Sequence, residues 1–350
     1  QNLQLIAATN RQLMKVWGFG QLPERLSYMP HDGATASVEF SEDGEFLLTG
    51  SKDESVRIYR VDSTVPLKEL PMSGEVQTAK FSPDRKTIAV VIWGEANSTV
   101  ELWDVDSGKR IAQCLHELDT VFRLTFIHEN HIAASCRKGI AVWNTDSASS
   151  GGEKVEINPT RQLTGKDTVG KCFGVTPSHD RRRLAFAERK TYLENNPIRI
   201  RTWEWRTAKV AEDISDLAPD ALFVWHSVAF ASNGNQIAYA DKKGRVQWWD
   251  AQNKKPVAVI GDEGLVDASF MASSPDKKWL AVMDEVDTIA IVNLRDKRKE
   301  FTLPAENSDV YALAWHPDSN RLAVGVNNGE VVVWDIDQVH VQAREIRGGK

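Results

Sequence analysis

The sequence predicts an all-β protein in which one small antiparallel sheet is copied many times, and two observations carry that prediction. The first is a period. Eight times an Ile-Ala or Leu-Ala step (Leu47-Leu48 in one copy) is followed by an alternating run that closes on an aromatic or aliphatic residue. The steps begin at Ile6, Leu47, Ile88, Ile132, Leu184, Ile237, Leu280 and Leu322. The runs close at Trp17, Tyr59, Trp103, Trp143, Trp203, Trp249, Val292 and Trp334, at spacings of 42, 44, 40, 60, 46, 43 and 42. A period in the forties marks a repeat architecture. The second observation is period-two alternation within each copy, interrupted by turn residues at hairpin spacing.

Residues 36–62 show the unit most clearly. Val38 and Phe40 alternate with polar residues, as a half-buried strand requires. Ser41-Glu42-Asp43-Gly44 is a turn: Gly adopts positive φ at little cost and Asp bonds its own backbone. Residues 46–49 form a second strand, Lys52-Asp53-Glu54 turns again, and Val56, Ile58 and Val61 mark a third. The same order recurs at Phe81-Ser82-Pro83-Asp84, Phe230-Ala231-Ser232-Asn233-Gly234, Ser274-Pro275-Asp276 and Trp315-His316-Pro317-Asp318. Proline falls at strand exits, where a missing N–H is tolerated. The small residue of each Leu/Ile-Ala step is expected where neighbouring sheets crowd toward an axis.

The literal dipeptides Trp103-Asp104, Trp249-Asp250 and Trp334-Asp335, with Trp143-Asn144 as a weaker form, make the chain resemble the tryptophan–aspartate (WD) repeat β-propeller family. The resemblance runs from about residue 3 to about 346. It implies blades of four-stranded antiparallel sheet and a role in binding partners. It also implies a buried tetrad of His, Ser or Thr, Asp and Trp in each blade. On this sequence only one blade comes close, with His31, Ser51, Asp53 and Tyr59 in the Trp place; His116 and Trp143 match half of another. Hydrophobic packing is therefore expected to be the main stabiliser.

Eight closing residues predict eight blades in one domain spanning 1–350, in units of about 3–30, 34–71, 74–115, 119–163, 170–215, 224–260, 265–303 and 308–346. The first lacks an inner strand: it offers 3–9, 13–17 and an outer strand at about 21–29. Residues 339–346 alternate and read as a last outer strand. The absent strand and the opening Gln suggest a fragment whose upstream segment completes blade one. The alternative is seven blades with the N-terminal hairpin as an accessory. The spacing of 60 hides two insertions, 147–152 and 188–197, the second holding Tyr192; loops lengthened on a rigid ring are where recognition resides.

Composition narrows the function. The formal charge of −6 argues against broad nucleic-acid binding, and Arg181-Arg182-Arg183 reads as a turn. No apolar run approaches the length of a membrane span. Cys114, Cys136 and Cys172 form no C-x-x-C pair and read as buried reduced thiols in a cytoplasmic protein. The sequence has no G-x-S-x-G, H-E-x-x-H or phosphate-cradling glycine loop. The set His31, Ser51, Asp53 is the structural tetrad by register. His128 and His131 lie in a turn without companions for a metal shell. No cofactor, metal or catalytic residue is expected.

What remains is a ring face. The resemblance implies contact residues just before the inner strands, around the central opening; by register from the Phe of each turn those positions are Glu75, Gln77, Phe122, Lys171, His226, Asp309 and Tyr311, with Arg123 and Trp225 as neighbours. Arg and aromatic residues are favoured anchors there; packing roles for Phe122, Trp225 and Tyr311 are the alternative. The leading expectation is a non-catalytic protein- or peptide-binding scaffold or sensor, a monomeric domain of a larger protein. An enzyme using the central channel and a structural assembly subunit are the other two readings.

Overall fold

The computed structural model describes residues 5–10, 13–18, 25–28, 31–94, 97–117, 119–146, 148, 155–164, 171–178, 180–189, 199–213, 228–230, 236–240, 246–250, 253, 255–260, 270–285, 288–305 and 309–340. Seven antiparallel sheets follow one another along the chain. Blades 1 to 7 begin with the inner strands Thr35–Phe40, Glu75–Phe81, Val121–His128, Lys171–Pro177, Val228–Phe230, Met271–Ser273 and Val310–Trp315. Each inner strand contacts the next, and that of blade 7 contacts that of blade 1, so the ring is closed.

The eight steps read from the sequence are eight real hairpins. Ile6 lies opposite Trp17, Leu47 opposite Tyr59, Ile88 opposite Trp103, and so on to Leu322 opposite Trp334. The blade count is nevertheless seven, the alternative of the two expectations. The hairpin Leu5–Asn10/Leu13–Gly18 forms a two-stranded sheet of its own. The expected outer strand of a first blade, Arg25–Tyr28, instead pairs with the third strand of blade 7, Val331–Asp335. The chain thus supplies both halves of the seventh blade, and no upstream strand is required to complete it. Residues 336–340 are helical, so the last outer strand expected at 339–346 does not begin at 339; 341–346 lie outside the described residues. The physical reason is edge pairing: the third strand Val331–Asp335 has an open edge, and a strand of the same chain pairs with it, leaving only the short strand Arg25–Tyr28 at the edge.

Each sheet is buried on both faces, so its side chains alternate between two neighbours. In blade 2, Ile88, Val90 and Ile92 pack toward blade 1, while Ala89, Val91 and Leu102 pack toward blade 3. Apolar clusters fill every junction between consecutive blades. The last joins Tyr28, Val38, Phe40 and Tyr59 to Ala323, Val331 and Val333 across the closure. Trp143, Trp203 and Trp279 are almost fully buried, each burial contributing on the order of 2–3 kcal/mol. The Ala of six Leu/Ile-Ala steps is wholly buried, as crowding toward an axis requires.

The first turn recurs as one geometry. Ser41, Ser82, Ser178 and Ser274 each donate at 2.6 Å to the Asp two residues on. The following residue is left-handed: Gly44, Arg85, Arg181 and Lys277 have φ of 74°, 60°, 56° and 71°. The insertion after blade 3's third strand carries an unforeseen strand, Val155–Ile157, which pairs in parallel with Arg110–Cys114 and makes blade 2 five-stranded. Of the second insertion, 188–197, residues 190–197 lie outside the described residues.

Candidate functional site

The face where the inner strands begin is shaped by a repeated irregularity. In five blades the pairing of first and second strands slips near the strand start. The bulged residues are Ala36, Gln77, Phe122, Gly174 and Tyr311. A bulge leaves its residue unpaired and re-aims its side chain. Three of the residues expected at the rim, Gln77, Phe122 and Tyr311, are therefore bulge positions, a feature that alternation alone does not reveal.

Their fates differ. Phe122 is 4% exposed and stacks on Phe173 of the next blade at 4.7 Å, and Gln77 is 9% exposed. Packing rather than partner contact is what those two support. Arg123 reaches across the seam between blades 3 and 2, donating from Nη1 to the Gln77 carbonyl at 2.7 Å and to Thr78 Oγ1 at 3.0 Å. Burial pushes its pKa down to about 9; it acts as an inter-blade strut. Glu75 and Asp309 are exposed, and Lys171 and Tyr311 are half-buried. Asp309 accepts from Asn327 Nδ2 at 3.2 Å, and Lys52 of blade 1 lies 5.6 Å over the Tyr311 ring of blade 7. Trp225, His226 and Tyr192 lie outside the described residues. The rim thus holds two presented sectors, Lys52/Asp309/Tyr311 and the Glu75/Lys171 side.

The tetrad of blade 1 forms, with one substitution. His31 Nδ1 donates to Asp53 Oδ2 at 2.9 Å, and its Nε2 faces Thr49 Oγ1 at 2.7 Å, which in turn bonds Tyr59. The hydroxyl is Thr49, not the expected Ser51. Ser51 lies one pleat nearer the turn and donates to the Gly33 carbonyl at 2.9 Å; the serine beside the His31–Asp53 pair is Ser55, whose hydroxyl lies 3.1 Å from His31 Nδ1 and donates to Asp53 Oδ1 at 2.7 Å. Burial holds the His31 imidazole below its ordinary pKa, against the pull of Asp53. Thr49 stands opposite Arg57, two residues before Tyr59. The equivalent places in blades 2, 3, 4, 6 and 7 are Val90, Ala134, Phe186, Val282 and Val324. That register explains the eroded network, and Trp203 and Trp249 accordingly bury indole N–H groups without partners.

On the opposite face a groove of about 750 Å³ runs past blades 2, 3 and 4. Arg206 lies 4.9 Å over Trp205 and donates to His128 Nε2 at 3.1 Å; His131 Nδ1 donates to Asn130 Oδ1 at 2.8 Å. Arg181, read as part of a solvated turn, pairs with Glu42 of blade 1 at 2.7 Å. Among the described residues no three His, Cys, Asp or Glu side chains gather as a metal site. The three cysteines are free and buried, burial raising each thiol. No described helix is long and apolar enough to cross a membrane.

Comparison with known proteins agrees with this geometry. The model of the WD domain, G-beta repeat, matches residues 24–60, which take in the closing strand and the first three strands of blade 1. The fold is a β-propeller with WD repeats. The model of the anaphase-promoting complex subunit 4 WD40 domain matches residues 271–345. Among curated relatives, WD repeat-containing protein SL1-17 of Schistosoma mansoni is 28% identical over 43% of this chain and 48% of its own length. Autophagy-related protein 16 of Arabidopsis thaliana is 22% identical over 87% of this chain and 56% of its own. Small ribosomal subunit protein RACK1 of Caenorhabditis elegans is 24% identical over 33% and 34%. The chain spans less than two thirds of each of these relatives. A WD-repeat match beginning at residue 24 is the signal that places the outer strand before its blade.

Proposed function

We propose that this propeller is a non-catalytic scaffold or sensor module that binds a protein or peptide on the face where the inner strands begin, as one domain of a larger cytoplasmic protein. The observation that carries the reading is the recurrent bulge, which places unpaired residues at one rim of a closed, rigid ring. Glu75, Lys171, Asp309 and Tyr311, with Lys52 beside Tyr311, are the proposed contacts. Tyr311 is the anchor, because a half-buried aromatic ring orders little on binding and removes much apolar area from water. WD-repeat relatives are typical interaction scaffolds, which supports the reading at the level of class.

Affinity capture with the whole chain, repeated with Tyr311→Ala, Glu75→Ala and Lys171→Ala, tests it. Loss of specific captured proteins with at least one variant is expected. A captured set unchanged by all three, with folding intact, would contradict the use of this face.

A further inference from the structure

Leu26, Val65, Leu67, Val257 and Val259 are the large apolar side chains exposed among the described residues. A single exposed hydrophobic is ordinary, but a cluster of them marks a contact surface. Three of the five stand on the two strands that flank the seam where blade 7 closes on blade 1. Val65 and Leu67 lead into the outer strand of blade 1, Lys68–Pro71, and are 60% and 58% exposed; Leu26, at 41%, belongs to Arg25–Tyr28. Val257 and Val259 lie on the outer strand of blade 5, Lys255–Ile260.

Strand alternation turns Leu26 and Leu67 toward one another. Tyr28 faces blade 1: its ring packs edge-on against Tyr59 at 5.1 Å, and its hydroxyl donates to the Val61 carbonyl at 2.9 Å. Leu26, two residues earlier in the same strand, shares that face. On blade 1 the Lys68 ammonium reaches the other way, to the Asp106 carbonyl of blade 2 at 2.7 Å. Leu67, its neighbour in sequence, therefore turns toward blade 7. The Leu67 N–H donates to the Ile58 carbonyl at 2.8 Å, which sets this residue beside Tyr59. The two leucines thus rim an apolar notch floored by the Tyr28–Tyr59 pair.

The chain carries an apolar element on a short tether beside this notch. The hairpin Leu5–Asn10/Leu13–Gly18 is a two-stranded sheet with no third strand. Two strands alone are marginally stable in water and need a surface to pack on. The hairpin sequence holds Leu5, Ile6, Leu13, Met14, Val16 and Trp17, and residues 1–18 include only two charged residues, Arg11 and Lys15. Six residues separate Gly18 from Arg25, so the hairpin stays within about 25 Å of the strand that carries Leu26. A short tether gives an effective concentration on the order of millimolar, at which a small apolar contact suffices.

We propose that the N-terminal hairpin docks in cis on the notch formed by Leu26, Val65 and Leu67. The seam is closed by Arg25–Tyr28, and the hairpin covers it from outside without adding a strand to either blade. The occupant is this segment of the same chain, because its tether begins at the notch itself and its sequence supplies apolar area with little charge to desolvate.

Cross-linking on the whole chain tests the proposal. Leu67→Cys introduces an exposed thiol into a chain whose own three cysteines are buried. A benzophenone maleimide attached there and photolysed in dilute solution should link to residues 1–18 of the same molecule, as read by peptide mass spectrometry. Hydrogen exchange gives a second measure that needs no label. The amides of Leu5–Asn10 and Leu13–Gly18 should exchange at least roughly tenfold more slowly than unstructured peptide, and Val65→Lys with Leu67→Lys should remove most of that protection. The Val331–Asp335 amides should keep their exchange rates in the double variant, the ring still being closed. Cross-links that miss residues 1–18, or that join two chains, would overturn the proposal. So would hairpin amides exchanging at unstructured rates, or protection that the double variant changes by less than about twofold.

Discussion

Replacing Thr49 with Val removes one hydroxyl and almost no volume, and blade 1 makes that hydroxyl the centre of its buried network. Thr49 is fully buried, its Oγ1 lies 2.7 Å from His31 Nε2, and it bonds Tyr59, itself 0% exposed. With His31 Nδ1 donating to Asp53, Nε2 must accept, so the chain of donors runs from Tyr59 through Thr49 to His31. Valine at 49 leaves an imidazole nitrogen unpaired and a phenol without one of its partners. A buried polar group left unpaired costs about 1–3 kcal/mol, which corresponds to about 5- to 150-fold in an opening equilibrium. Hydrogen exchange of the amides of Phe46–Ser51 and Ser55–Arg60 reads that opening locally. Faster exchange in blade 1 of that order is expected, with blades 4 and 6 unaffected. Ser51→Ala, which removes bonds to Gly33 and Asp53 at a site outside the His31 relay, should cost less, about 1 kcal/mol. Exchange in Thr49→Val indistinguishable from that of the unaltered chain, or a larger effect from Ser51→Ala, would refute the reasoning.

Other consequences follow from the same geometry. Burial holds His31 below its ordinary pKa, so the unfolded chain takes up a proton more readily than the fold; stability present above about pH 6.5 should fall as pH drops below it, and His31→Gln should flatten that slope in urea melts run across the range. Gly329 has φ of 88°, and a Cβ there would run into the His31 carbonyl; Gly329→Ala should destabilise the blade 7–blade 1 junction by more than about 2 kcal/mol in urea denaturation. Lys277, exposed and left-handed at φ 71°, pays a steric penalty that Gly avoids, and Lys277→Gly should be neutral to about 1 kcal/mol more stable in the same assay.

The hairpin chemistry was legible because it is local. Each Leu or Ile step faces its closing Trp, Tyr or Val because both occupy one face of adjacent strands, and that periodicity is written directly in the chain. Ring closure was not legible, because Arg25–Tyr28 joins Val331–Trp334 across three hundred residues, and nothing in either strand's alternation names its partner. The same limit hid Val155–Ile157, a short strand inside an insertion of Ser and Gly. At the rim, Glu75, Lys171, Asp309 and Tyr311 could be found by counting from the turn, but a one-residue bulge decides which neighbour is turned inward, and Gln77 and Phe122 went to packing. Thr49 and Ser51 share a strand face two residues apart. Only the register against Tyr59 distinguishes which one reaches His31.

The central claim is that seven blades close through a strand contributed by the N-terminal region of the chain. The most direct measurement compares urea denaturation of the full chain with forms beginning at residue 21 and at residue 31. The account predicts a midpoint close to that of the full chain when only the hairpin region is removed, and a marked loss of stability, with rapid exchange of the Val331–Asp335 amides, when Arg25–Tyr28 is removed as well. Destabilisation by loss of the hairpin, with no further effect from losing residues 21–30, would contradict it.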